Sequence, residues 1–143
     1  MFIFLICNLF ASPVNVWKKP PEVLICDNDI PEQIVNNSIE QWNKKEYSIE
    51  KLSKRHTCIF ESKFYMQSAI MIYVSDNLED KTLGATTNYR YNDGRIAYSI
   101  IEISREALYL NKVYEHEIGH ALGLSHSDTK EDVMFPKFDL NLQ

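Results

Sequence analysis

The chain has 143 residues, the length of one domain, and a balance of 45% hydrophobic to 24% charged residues that excludes a disordered tail protein. Acidic residues outnumber basic ones 20 to 15, for a net charge of −5, and the Lys and Arg are scattered. The basic stripe that a nucleic-acid reader needs is therefore missing.

Residues 1–17 carry no charged side chain, and Phe2 to Phe10 is an apolar run broken only by Asn8 and followed by Ala11-Ser12-Pro13. The run is too short for a spanning helix of about 20 residues. An apolar core of this length before small residues predicts a secretory leader over 1–11, with a single domain over 12–143 and no stable membrane anchor. Two details depart from the leader pattern: no Lys or Arg precedes the run, and Leu9 stands where a small residue is usual. The alternative is a buried N-terminal strand. Cys7 would leave with the leader, so Cys26 and Cys58 remain as an even pair. A bridge between them would close a loop worth about 3–4 kcal/mol. Two buried free thiols fit the sequence equally well. Asn36-Asn37-Ser38 matches the glycosylation acceptor pattern, which matters only in a eukaryotic secretory pathway.

Val23 to Cys26 is a short apolar run that predicts a buried strand. Asp29 is placed to cap a helix, with Pro31 in its first turn and Glu32 three residues on. Ile34, Val35, Ile39 and Trp42 then share one side of that helix, opposite Asn36, Asn37, Glu40, Gln41 and Lys44. Tyr47 to Leu52 predicts a second strand, and strand, helix, strand in succession suggests a right-handed parallel crossover. His56, alone in a polar stretch, reads as surface. Ser68 to Ser75 is the clearest strand of the chain. Thr86–Tyr91 and Arg95–Ile103 flank Asn92-Asp93-Gly94, a hairpin signal. The first arm is polar on both faces, as suits a sheet edge whose free backbone groups can pair with another chain. Ser104 offers a cap for a helix from about Arg105 to Leu122, stopped by Gly123.

That helix ends in the run from His116 to His126, His-Glu-Ile-Gly-His-Ala-Leu-Gly-Leu-Ser-His. His116 and His120 are four apart, so both rings project from one helix face, one turn apart, as two zinc ligands require. Gly123 permits a sharp turn that returns His126 as a third ligand. Three imidazoles leave the fourth zinc position open for water, the catalytic arrangement. Glu117 is not needed as a ligand; its carboxylate can take a proton from the zinc-bound water and pass it to a departing amine. The implied chemistry is peptide-bond hydrolysis without a covalent intermediate. At ordinary residue frequencies the five fixed positions recur by chance on the order of once in 10⁴ chains of this length.

These eleven residues resemble the extended zinc signature of the metzincins. Asp132-Val133-Met134-Phe135-Pro136 resembles their Met-turn, with Met134 beneath the metal. The matrixin branch fits best: Ser127 follows His126, and Met134 to Phe138 resembles the matrixin Met-Tyr-Pro-x-Tyr. The resemblance implies an α/β (α+β) fold of metzincin-like zincin type: a twisted, mixed five-stranded sheet with an antiparallel edge strand, two main helices and a small C-terminal subdomain. It implies a zinc endopeptidase with one catalytic zinc, acting on polypeptide; the leader makes it secreted and extracellular, and monomer is the expectation for a small secreted enzyme. Leu83 to Thr87, including Gly84, Ala85 and Thr86, matches the start of the edge strand to which substrate would add. Pro136 and Phe138 would wall the pocket for the side chain just after the scissile bond, with an apolar preference.

The chain also departs from the family. The pro-segment cysteine that caps zinc in latent members has no counterpart, the ligands of the structural zinc are missing, and nine residues follow Met134. Asp76, Glu79 and Asp80 suit either a calcium ion or a solvated loop. The alternative function is a metzincin-fold binding module or toxin component with little turnover. The intact Glu117 argues against it, because a pure binder needs no base.

Overall fold

A computed structural model describes residues 16–54 (51–54 as backbone), 58 and 68–136. The predicted leader and Cys7, His56 and Phe138 lie outside the described residues.

The elements run β1 (Glu22–Ile25), α1 (Glu32–Lys44), β2 (Glu50–Lys54), β3 (Ala69–Val74), β4 (Gly84–Arg90), β5 (Ile96–Ile103), a 3-10 turn (Arg105–Ala107) and α2 (Asn111–Ala121). The strands form one five-stranded sheet in the order β2-β1-β3-β5-β4. β1 is parallel to β2 and β3, and β3 to β5; among the described strands β4 alone runs antiparallel and ends the sheet. The predicted crossover and polar edge strand are both present. The mixed sheet with two main helices agrees with the expected fold class.

One apolar layer lies between the sheet and both helices. Val23, Ile25, Ile70, Ile72, Ile101 and Ile103 meet Val35, Ile39 and Trp42 of α1 and Val113, Tyr114 and Ile118 of α2. Alternation along the strands puts these isoleucines and valines on one face, and each such side chain buried stabilises the fold by roughly 1.5–3 kcal/mol. Trp42 also donates its indole N–H to the Glu115 carbonyl at 2.8 Å, which fixes α1 across α2. On the other face Leu24, Ala69 and Met71 form a smaller cluster with Cys26 and Cys58 against it. Those two cysteines are joined, with Cα atoms 5.3 Å apart, so the bridge and not the pair of free thiols is what forms.

Several predicted boundaries shift. The helix expected from Arg105 is broken: Leu110 is extended (φ −98°, ψ 95°), and α2 begins at Asn111. Tyr114 donates its hydroxyl to the Leu108 carbonyl at 2.9 Å, an acceptor that a continuous helix would use internally. Asp29 does not cap α1, because its carboxylate accepts from Arg105 (3.3 Å), which also holds Asp76 (2.7 Å). The residue before the first turn is Pro31, without a side-chain cap. β2 starts at Glu50 rather than Tyr47. The Asn43 side chain grips both backbone groups of Ile49 (2.9 and 3.3 Å), and Tyr47 packs edge-on against Trp42, so the chain leaves α1 as a tight turn. Ser38 is buried and donates to the Ile34 carbonyl (3.0 Å) inside α1, so the acceptor triplet from Asn36 is helical rather than an open loop.

Candidate metal centre and active-site cleft

α2 carries His116, Glu117 and His120 in its last two turns and ends where Gly123 turns left-handed (φ 94°). The Gly123 N–H reaches the His120 carbonyl (2.9 Å) and the Leu124 N–H reaches Gly119 (3.0 Å), the paired bonds of a glycine-terminated helix. A Cβ at Gly123 would also stand 2.8 Å from Val16. Trp17, fully buried, donates its indole N–H to the Ala121 carbonyl at 3.1 Å. The turn that returns His126 is thus backed by the chain's own N-terminal segment.

The three imidazoles converge. His120 Nε2 lies 3.1 Å from His116 Nε2 and 3.2 Å from His126 Nε2. Four tetrahedral bonds of 2.0–2.1 Å place neighbouring ligand atoms about 3.3–3.4 Å apart, so the spacing suits zinc. The Nδ1 atoms of His116 and His120 meet the carbonyls of Val133 (2.7 Å) and Leu124 (2.8 Å). A ring that donates from Nδ1 presents a bare lone pair at Nε2. Facing lone pairs repel until a cation lies between them, and this is the chemistry of a metal site. Among the described residues these histidines are the one cluster of potential ligands of this kind. Burial holds the His116 imidazole below its ordinary value; the Val133 carbonyl opposes this, and His120 and His126 add to it.

Met134 is buried against Gly119 of α2, the residue before His120: a Cβ there would lie 2.3 Å from Met134 Sδ and 2.7 Å from Trp42 Cζ2. The Ser127 N–H reaches the Met134 carbonyl (2.9 Å), and Asp132 Oδ1 accepts the Met134 N–H (2.8 Å). The turn therefore delivers the Val133 carbonyl to His116, a partner that sequence reasoning missed because a backbone acceptor leaves no residue signal.

Glu117 is buried beside β4. Thr86 Oγ1 lies 2.5 Å from Glu117 Oε2 and 3.0 Å from the Glu117 carbonyl. Burial raises the Glu117 carboxyl above its ordinary value, opposed by the Thr86 hydrogen bond and by His120. Asn88, two residues on, donates to the His120 carbonyl (2.9 Å) and accepts from Ser99. Gly84, Thr86 and Asn88 alternate and share the helix-facing side of β4. That role of Thr86 and Asn88 was legible only as an every-second-residue pattern, obscured because the strand is polar on both faces.

An open groove of about 1140 Å³ runs along β4, lined by Leu83 to Thr86, the three histidines, Glu117 and Pro136. Pro136 is exposed at its wall. Asp76, one of the three acids considered for calcium, is paired with Arg105 at 2.7 Å.

The family model of the matrixins matches residues 28–143, four-fifths of the sequence and all of the site. The chain belongs to the matrixins. Family membership supports a zinc metalloendopeptidase in general terms and peptide as substrate. A comparison with curated proteins finds no match.

Proposed function

We propose that the chain is a secreted zinc endopeptidase in which His116, His120 and His126 hold the metal and Glu117 is the general base. The observation that carries this reading is the buried Glu117 carboxylate beside three convergent imidazoles, at the floor of a groove along a sheet edge. Zinc held there by the three histidines would lower the pKa of a water and polarise a carbonyl oxygen. The outer edge of β4 pairs with an extended polypeptide and holds its scissile bond over the site. Glu117 takes a proton from water as the water oxygen bonds to the carbonyl carbon; it then gives that proton to the amine nitrogen as the C–N bond breaks. Burial raises its affinity for the proton it takes from water. Met134 gives the centre a hydrophobic floor, and Pro136, with Phe138, walls the pocket beyond the scissile bond. The Cys26–Cys58 bridge supports an oxidising, extracellular compartment. No helix among the described residues is long and apolar enough to cross a membrane. The domain spans 12–143, after a leader over 1–11, and acts as a monomer.

The test is digestion of casein by the purified 12–143 segment with zinc, with chelator, and with Glu117→Ala. Turnover that needs both the metal and Glu117 is expected, with zinc content unchanged in the variant. Metal-dependent turnover by Glu117→Ala would refute the base assignment, and zinc binding without cleavage would make the protein a binding module.

A further inference from the structure

The inner face of β4 grips Glu117. Thr86 has a single hydroxyl proton and two acceptors within reach, the Glu117 carbonyl at 3.0 Å and Oε2 at 2.5 Å. Oε2 is the nearer acceptor and belongs to a carboxylate, and a charged acceptor strengthens such a bond about twofold, so the proton goes to Oε2. Two residues earlier, Gly84 gives the carboxylate its space: a Cβ there would stand 2.8 Å from Glu117 Cγ and 3.0 Å from Oε1. The side chain thus lies flat over Gly84, with Oε2 tied to Thr86 and Oε1 above a backbone that has no side chain.

We propose that Thr86 is a positioning residue that anchors Oε2 of Glu117 and leaves Oε1 as the oxygen that takes and returns the proton. The inference rests on Glu117 being the base. The Thr86 proton stays on Thr86 throughout; only the water proton moves, first to Oε1 and then to the departing nitrogen. The strand that receives the substrate on its outer edge therefore also fixes the base on its inner face. A carboxylate without this anchor samples other rotamers, and the fraction of complexes with Oε1 in reach of water falls. That lowers kcat and leaves KM alone, since Thr86 Oγ1 points into the protein and away from the pairing edge.

The experiment compares Thr86→Val, which keeps the shape and removes the hydroxyl, with Thr86→Ser, which keeps the hydroxyl. Kinetics on a peptide substrate, zinc content and thermal midpoint are read for each in the 12–143 protein. Thr86→Val is expected to lose about 10- to 100-fold in kcat, the effect of one hydrogen bond to a charged group, with KM within about twofold and one zinc per chain. Thr86→Ser is expected to recover kcat to within about threefold. In a Glu117→Gln background, Thr86→Val is expected to change residual turnover no further. A wild-type kcat in Thr86→Val, a loss carried by KM or by zinc content, or no rescue by Ser would each overturn the assignment. If Thr86→Val does not fold, Thr86→Ala removes the same hydroxyl with less bulk; misfolding of both beside a folded Ser variant would make the hydroxyl a folding determinant and overturn the proposal. Failure of the underlying reading looks different: Glu117→Gln would itself turn over like wild type.

Discussion

Gly119 sits between the two helical histidines, where an alanine should by intrinsic propensity strengthen the helix by about 1 kcal/mol. The packing around it predicts the opposite. A Cβ at Gly119 would lie 2.3 Å from Met134 Sδ and 2.7 Å from Trp42 Cζ2. The thioether can swing aside, but the indole cannot: it is buried, its N–H is bonded to Glu115, and Tyr47 packs on its edge with ring centroids 5.2 Å apart. Forcing one methyl into a well-packed core costs about 1–3 kcal/mol, and contacts this short put the cost in the upper part of that range, about 2–3 kcal/mol; less the propensity gain of about 1 kcal/mol, Gly119→Ala is about 1–2 kcal/mol less stable. For a chain of this size that is a fall of about 3–10 °C in Tm.

The damage should also reach the metal. Met134 adjoins Val133, whose carbonyl orients His116 through a 2.7 Å contact. Disturbing a partner of a metal-binding histidine typically costs 10- to 100-fold in affinity, so zinc affinity should fall by about tenfold or more. Two assays check this: thermal unfolding of the chelator-treated protein, and zinc competition against a chromogenic chelator. A Tm equal to or above wild type in the metal-free Gly119→Ala protein would show that the core yields and that propensity decides, which refutes the packing argument.

Breaking the Cys26–Cys58 bridge, whose cysteines are 32 residues apart in sequence, should remove about 3–4 kcal/mol; urea unfolding of Cys26→Ser/Cys58→Ser measures it, and an unchanged midpoint counts against the estimate. The raised pKa of Glu117 means that the folded protein binds its proton more readily than the unfolded chain does. Its ionised form therefore costs stability at neutral pH, and that cost disappears as pH falls through the folded value toward 4.5. Metal-free Glu117→Gln should accordingly be more stable than wild type at pH 7, with the advantage shrinking on acidification; an advantage that grows with acid would reverse the sign. His116 acts in the other direction. Its lowered pKa makes the unfolded chain the better proton acceptor, so metal-free stability should be level above pH 6.5 and decline below it, as unfolding of the Glu117→Gln protein across that range would report.

What the sequence made legible follows from how local each cause is. The His116–Glu117–His120 spacing is a property of one helix, and Gly123 and His126 follow from one turn, so the ligand cluster could be read without the rest of the fold. The strand from Ser68 declared itself through an apolar run, buried on both faces over Ala69 to Ile72, and the strand from Arg95 through the Asn92-Asp93-Gly94 turn before it. The break at Leu110 depends on Tyr114 reaching back to Leu108, and the displaced start of α1 depends on Arg105 drawing Asp29 away across 76 positions. Neither contact leaves a periodic trace. Thr86 and Asn88 bond to α2 across 31 and 32 positions, and their strand has no apolar stripe to mark which side faces inward.

The polarity of that strand has a physical reason. An apolar inner face on β4 would pack against α2 as well as Ile101 and Ile103 do elsewhere, but it would offer no donor to the carboxylate or to the His120 carbonyl. A buried Glu117 without a donor would tend to stay protonated, and a protonated carboxyl is no base. Thr86 supplies the donor that keeps the charge in place, and Gly84 supplies the space. Burial raises the affinity of the carboxylate for a proton, and the hydroxyl acts in the opposite direction. On the proposed reading the same strand keeps its outer backbone groups free for a substrate, which forbids another strand there; among the described strands it lies at the sheet's edge. A polar, terminal, antiparallel strand beside the histidine helix then meets three needs of the proposed enzyme at once: a hydrogen-bonded base, a held helix end and an open edge.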